Sequence, residues 1–469
     1  MNQKFQFKRK LRWHCLNVLF CTSLACSSAS SQSLRESVNL ALKQYPTLMA
    51  AIAKSDAAQY DIKRAQGAHW PQLSWSGTYN AYTSGDVSDY WVQSPMVSLN
   101  LWSGLKIQSD IERAKAYADV GTQQIRLTRD DIALMATEAY LLWSHQREMV
   151  RLAQGNVASH ERILLDFIKI TQVDPGRRID LNQAQVRFDN ARLSLAQREA
   201  ELSSVSQRLR RMLMGQVPKE SSDIEWIAMA GPTTQAQALD SMDNRHPLLE
   251  QLKAQVVAAQ ADLQRVRSQY SPTVNLTHGK QTYQGLSQGR YVTQLVLNVP
   301  IWDGGSTSAA VSAADSNLRA SILNLDEGKL FLRERISAFW SDWESASMRA
   351  QMGQQQTQIA QGLVDGYWMQ FRVGRRSLLD LLNVQSDLYL YQSNAATSLH
   401  ETRLTKSRML AAMGQLAAVF DTFSDQNASI SKVKTWAVLD EIPGQIFERN
   451  SPQWGNCQNE ICKQSHRQD

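Results

Sequence analysis

The chain has 469 residues, a formal net charge of +6 and 43% hydrophobic residues. That apolar content excludes wholesale disorder. Basic residues are interspersed with acids and, outside the extreme N-terminus, never cluster with aromatics, which excludes a nucleic-acid-binding surface.

Residues 1–30 read as a secretory signal peptide. Lys4, Lys8, Arg9, Lys10 and Arg12 give a positive start, Leu16 to Ala25 an apolar stretch, and Ser28, Ala29 and Ser30 small residues for cleavage. Lipidation of Cys26 is the alternative, although Ser23 stands where such a signal carries leucine. Cys15, Cys21 and Cys26 belong to this leader, leaving Cys457 and Cys462 to close a small disulfide loop in an oxidising compartment. No other segment approaches about 18 consecutive apolar residues, so any membrane contact is not made by transmembrane helices.

A helix is expected from about Leu34 to Gly67, capped by Ser33 and stopped before Pro71. Next comes strict alternation. Leu73, Trp75, Tyr79 and Ala81 fall on one side, and Ser74, Ser76, Thr78 and Asn80 on the other. A turn at Thr83-Ser84-Gly85-Asp86 leads to a second alternating stretch, with Val97, Leu99 and Leu101 opposite Ser98 and Asn100. Long helices follow. Leu181, Ala184, Phe188, Ala191, Leu195, Leu202, Val205, Leu209 and Met212 trace a heptad seam, the mark of helices packed side by side.

The plan then repeats. Tyr45-Pro46 is echoed by His246-Pro247, Trp70-Pro71 by Tyr270-Ser271-Pro272, and Leu101-Trp102-Ser103-Gly104 by Ile301-Trp302-Asp303-Gly304. Tyr140 and Trp143 return as Trp340 and Trp343, Gly176-Arg177-Arg178 as Gly374-Arg375-Arg376, and Met214-Gly215-Gln216 as Met413-Gly414-Gln415. The strands return as Val274 and Leu276 against Asn275 and Thr277, then Leu295, Leu297 and Val299 against Gln294 and Asn298. The second seam is Leu381, Val384, Leu388, Tyr391 and Ala395. A colinear series of this length is a duplication. The first repeat covers 31–230, the second 231–420, and 421–469 is a polar tail.

Strands with one apolar and one polar face suit a membrane β-barrel, with Trp75, Tyr79, Tyr82, Tyr90 and Trp91 at headgroup level. A sheet in lipid tolerates no unpaired edge. Small barrels begin at about eight strands, and this chain supplies four. Several protomers must therefore share one barrel, with polar helices extending away from it.

These residues resemble the TolC family of outer-membrane efflux and secretion proteins. The resemblance runs from about Leu34 to Phe420. It rests on the duplicated plan, on Val299-Pro300-Ile301-Trp302-Asp303-Gly304-Gly305, and on Val373-Gly374-Arg375-Arg376-Ser377-Leu378-Leu379-Asp380-Leu381-Leu382. It implies a mainly α fold: a homotrimer with a shared twelve-stranded barrel in outer-membrane lipid and a long coiled-coil tunnel in the periplasm. It implies as partners a periplasmic adaptor and an inner-membrane transporter, ABC-type or proton-driven. It also implies a gate at the tunnel's inner end, where Asp180, Arg376 and Asp380 match charged members of the network. Phe371 and Asn383 stand where a tyrosine and a second acid are familiar, Ile179 replaces a small polar residue, and Arg375 adds charge. Arg376 and Asp380, four apart, can also simply pair along one helix.

No catalytic motif is present: no P-loop, no G-x-S-x-G, no H-E-x-x-H, and no histidine–carboxylate spacing for a metal. His69, His145, His160 and His246 read as surface or packing residues. No cofactor is implied. The expected function is a passive duct for type I secretion of proteins such as adhesins. Small-molecule efflux is the runner-up, and a pore-less coiled-coil scaffold the alternative of another class.

Overall fold

The computed structural model describes residues 33–81, 90–215, 231–243, 246–281 and 289–422, with residues 217, 218, 224 and 227 between them. The leader, the Thr83–Asp86 turn, Tyr82 and the Cys457 and Cys462 pair lie outside the described residues. The described elements through Ala417 form one compact unit.

Helix α1 (Leu34–Gln44) opens on a capping box, in which Ser33 Oγ accepts the Glu36 amide and Glu36 Oε2 accepts the Ser33 amide. The single helix expected to Gly67 is two, because α2 (Pro46–Gly67) starts at a proline. Pro46 has no N–H to continue the ladder, and its ring holds Tyr45 extended at φ −71°, ψ 126°. Strands β1 (Gln72–Asn80) and β2 (Tyr90–Trp102) follow, then α3 (Lys106–Val173), a 3-10 turn (Pro175–Arg177) and α4 (Arg178–Met212). The second half runs α5 (Gln235–Asp243), α6 (Pro247–Arg267), β3 (Thr273–Gln281), β4 (Arg290–Asn298), α7 (Ser306–Arg372) and α8 (Leu378–Ala412). Helix α9 (Leu416–Thr422) closes the described chain.

The 68 residues of α3 are about 100 Å long, some three times a bilayer's hydrocarbon thickness. No described helix is long and apolar enough to cross a membrane. Each long helix is therefore shared between two tiers. Near the strands, α3 packs on α2 and α6, and α7 on α6; farther away, α3 packs on α4 and α8, and α7 on α8. Small residues allow close approach: a Cβ on Gly121 would meet Ser55 Cα at 3.3 Å, and one on Gly353 would meet Ala395 Cα at 3.2 Å. Both seams read from the sequence are buried or half-buried along their length.

The turn after β2 holds Gly104 and Leu105 at φ 60° and 71°, and the turn after β4 holds Gly304 and Gly305 at 72° and 87°. Glycine adopts that region freely, whereas a side chain there costs about 1–2 kcal/mol. Leu105 is 71% exposed, so its side chain regains little by packing. Leu105→Gly is expected to stabilise the protein by up to about 1 kcal/mol, read as a raised urea midpoint at unchanged slope.

Asp130 on α3 is 6% exposed, and its Oδ1 accepts the Ala417 amide at 2.8 Å. Burial, opposed by that hydrogen bond, pushes its carboxyl from 3.8 up to about 6. Its folded value exceeds its unfolded one, so the folded state binds the proton more tightly, and stability rises as pH falls from above about 6 towards 4. Asp130→Asn keeps an acceptor for the Ala417 amide and removes the buried charge. It is expected to stabilise the protein by about 1–2 kcal/mol near neutral pH and by little near pH 4, measured by melting at both.

Candidate functional site

The four strands form one antiparallel sheet in the order β1-β2-β3-β4. Register decides which residues share a face. Leu73, Trp75 and Tyr79 pair with Val97, Pro95 and Trp91. Leu99 pairs with Leu276, which pairs with Leu295, and Val274 pairs with Leu297. One face is thus mainly leucine, valine and aromatic. The other carries Ser74, Ser76, Thr78 and Asn80 on β1, Ser94, Ser98 and Asn100 on β2, Asn275 and Thr277 on β3, and Gln294 and Asn298 on β4, interspersed with Val92, Met96, Val292 and Val296. On that face Asn100 Nδ2 donates to Asn275 Oδ1 at 2.7 Å, joining the two halves.

Two sequence readings of the strands need correction. Leu101 is not the third member of the apolar row: the register slips between Asn100 and Trp102, and Trp102 takes the place opposite Val274. Tyr90 pairs with Asn80 and so holds a register position of the polar face, not one beside Trp91. Trp91 instead packs its ring 5.3 Å from Tyr79.

Nothing among the described residues covers the apolar face. Leu73 is 79% exposed, Trp75 67% and Leu295 66%. Strands β1 and β4 each have one neighbour, so both outer edges keep unpaired backbone groups. An even number of alternating strands lets β4 of one copy meet β1 of the next antiparallel.

The other end of the molecule holds the two turns between long helices, over one core. Ile163, Leu164 and Phe167 of α3, Ala184 of α4, and Leu378, Leu381 and Leu382 of α8 are buried together, with Tyr367, Trp368 and Phe371 of α7 against them. Phe167 and Phe371 lie 5.6 Å apart. The turns are built differently. In the first, Asp174 Oδ1 accepts the Gly176 amide at 3.1 Å and Pro175 starts the 3-10 turn. In the second, Gly374 sits at φ 73°, and the Gly374 and Arg375 amides donate to the Phe371 and Gln370 carbonyls. Only Gly374 therefore has the left-handed backbone that glycine favours.

The predicted gate residues all lie at this end. Asp180 receives Arg177 Nη2 at 3.0 Å, and Arg177 also covers the Phe167 ring at 5.3 Å. Arg376 reaches Asp380 at 3.9 Å, donates to Gln370 Oε1 at 3.0 Å and lies 4.6 Å over the Tyr367 ring. Asp380 also caps α8 through a box with Ser377. Within one chain, then, Asp180 pairs with Arg177 and Arg376 with Asp380. Arg375 is exposed. Asn383 Oδ1 accepts from Arg187 Nη2 at 3.4 Å, bridging α4 and α8. Sequence reasoning missed Arg187. Its seven-residue spacing from Asp180, which puts both on one helix face, was the available signal.

Midway along the helices, His145 and His400 stack with ring centres 4.7 Å apart. Burial holds His145 below its usual pKa and, first among several causes, pushes His400 down to about 4. Burial likewise lowers His160, to about 4. Buried His246 caps α6 through the Leu248 amide and contacts the Ala412 carbonyl at 3.0 Å. These histidines are packing groups.

Residues 37–215 and 238–415 each match the outer membrane efflux protein family, one stretch per repeat. The chain is 24% identical over 407 residues to the outer membrane efflux protein BepC of Brucella suis, covering 85% of this chain and 88% of that one. It is 22% identical over 393 residues to the alkaline protease secretion protein AprF of Pseudomonas aeruginosa, covering 77% and 80%. Its fold matches a crystal structure of the channel protein CusC with TM-score 0.71 and 15% identity, over 81% of this chain and 91% of that chain. The mainly helical, duplicated fold is that of trimeric outer-membrane channels, with helices for a periplasmic tunnel and four strands as one share of the barrel. The chain belongs to the outer membrane efflux protein family: it is an outer-membrane transport duct and not an enzyme.

Proposed function

We propose that three copies of this chain form the outer-membrane duct of a tripartite type I secretion machine that exports large polypeptides such as adhesins. A periplasmic adaptor and an inner-membrane transporter supply docking and energy. The observation that carries the duct is the sheet itself, with its apolar face, its polar face and two open edges. Lipid requires the first to face outward and the edges to be closed by neighbours.

The polar face supports the polypeptide reading. Its strand positions carry mostly hydroxyls and amides, with Val92, Met96, Val292 and Val296 among them, and Arg290 is their only charged residue. Such a wall offers no carboxylates for cations and no aromatic position besides Tyr90, and an unfolded chain can slide past it. The kinship with AprF, named for protease secretion, points the same way. BepC, named for efflux, keeps small-molecule export as the second reading. Deleting the chain separates them. Loss of a large secreted or surface protein at unchanged drug sensitivity supports secretion. Drug sensitisation with an unchanged set of secreted proteins supports efflux instead.

The turn end acts as the gate, closed by Asp180, Arg376 and Asp380 with Arg375 and Asn383 beside them. Closure across protomers requires Arg376 of one chain to approach Asp180 of the next. Exposed ion pairs contribute under about 1 kcal/mol each, so the double variant Asp180→Ala/Arg376→Ala is expected to raise the open fraction about fivefold. Single-channel conductance and vancomycin sensitivity report it. No change in either removes these residues from the gate.

A further inference from the structure

The second hairpin breaks the apolar face that the first one keeps. Tyr79 pairs with Trp91 in the first, and Lys280 with Tyr291 in the second. The duplication makes these pairs equivalent: 79 leads to 280 as Pro46 leads to Pro247, and 91 to 291 as Trp102 leads to Trp302. Two residues nearer the helices, Gly77 and Gln93 are matched by His278 and Thr293. The aromatic pair at headgroup level is thus replaced by a lysine and a tyrosine. They stand at the end of the sheet farthest from the helices, which is the outer leaflet.

These groups form one cluster. The His278 ring stacks on Tyr291 with centroids 5.8 Å apart, and its Nδ1 lies 2.8 Å from Thr293 Oγ1. Tyr291 and His278 are exposed, and Lys280 is half-buried with no carboxylate partner among the described residues. No acid stands close enough to supply one. The four strands contain no aspartate or glutamate, and neither does the segment joining β3 to β4. Closing the ring sets β1 of the next copy against β4, and β1 brings none. Asp86 and Asp89 of the other hairpin lie outside the described residues. Tyr90 to Met96 separates them from the level of Gly279, about 20 Å of strand against a Debye length of about 8 Å.

We propose that Lys280, Tyr291 and His278 form a docking site on the outer wall for the phosphate of an anionic glycolipid in the outer leaflet. This rests on the shared-barrel reading and goes beyond it. A lipid-facing lysine is costly at the midplane but carries little penalty at the interface, where it meets anionic headgroups. Its ammonium offers a charge and three donors, the tyrosine hydroxyl another, and the imidazole keeps Nε2 for a further partner. Leu276 and Leu295, on the same face towards the helices, give the acyl chains an apolar surface. The first hairpin, with its ring pair and no lysine, offers no equivalent, so each protomer holds one site.

The test is native mass spectrometry of the detergent-purified full-length assembly with diphosphoryl lipid A, the same lipid stripped of phosphate, or inorganic phosphate. The phosphorylated lipid is expected to bind about once per protomer and the phosphate-free lipid about fivefold more weakly. Inorganic phosphate should not displace the lipid, since it has no acyl chains. Lys280→Gln should weaken binding about fivefold, while Lys280→Arg keeps the charge and should retain it, which separates charge from misfolding. Equal binding of the two lipids, displacement by inorganic phosphate, unchanged binding in the glutamine variant, or equal loss in the arginine variant overturns the site and leaves the barrel standing. A sample that holds only monomers overturns the shared barrel, and the site with it.

Discussion

Leu295→Arg is expected to abolish assembly into the membrane, while Gln294→Arg, its neighbour on β4, still assembles and conducts. Both positions are exposed in the single chain, so exposure cannot tell them apart. Register can. Leu295 continues a row with Leu276 and Leu99, while Gln294 pairs with Thr277, which pairs with Ser98. In a bilayer the first row meets hydrocarbon and the second meets water. Arginine facing lipid near the midplane costs about 2–4 kcal/mol, and three copies suffer it together. Arginine facing the lumen keeps its hydration and changes only ion selectivity. Heat-stable oligomer on gels after membrane fractionation reads both variants. Equal loss in the two would mean the faces are wrongly assigned.

Phe167→Ala is expected to destabilise the turn end by about 3–5 kcal/mol, the range for emptying an aromatic core site. Phe167 is fully buried, packs 5.6 Å from Phe371 and carries the Arg177 guanidinium over its ring. It therefore serves both hairpins at once: α3 supplies it, α7 packs on it, and the arginine that holds Asp180 rests on it. Losing the ring leaves a cavity under the two turns and frees Arg177. Hydrogen exchange should rise in 163–188 and 364–382 while the strands and the α2–α6 tier stay protected. Leak conductance should rise with it. Uniform exchange along the whole chain would show instead that the turn end has no separate core.

Much of this architecture was legible because it was written twice. Alternation at Leu73–Asn80 and again at Val274–Thr277 marked strands that would have been ambiguous singly. The Leu378-Leu379-Asp380-Leu381-Leu382 run pointed to a packed helix start, and Leu378, Leu381 and Leu382 are buried there. Misreadings arose where a local feature overrode a regular pattern. Apolar spacing continues across Tyr45-Pro46, so the proline's missing N–H was the only sign of the break. The slip at Leu101 leaves alternation intact in sequence and shows only in pairing with β3. Gly176 and Gly374 look equivalent in the alignment of the halves, yet only Gly374 has positive φ, because Pro175 and Asp174 build the other turn.

The candidate gate was legible in its charged residues and not in their partners. Arg376 and Asp380 announced themselves by spacing, and the structure pairs them. Arg187 and Asn383 are 196 positions apart and meet only because α4 and α8 lie together. No local pattern encodes such a contact. The commitment of Asp174, Asp180 and Asp380 inside their own protomer also needed geometry.

One chain leaves its lipid-facing wall open at both edges, so the molecule makes physical sense only as part of a closed ring. Mass determination of the detergent-purified protein, coupled to conductance in a planar bilayer, addresses this directly. The account predicts a stable trimer that conducts. A stable monomer that never conducts would contradict it.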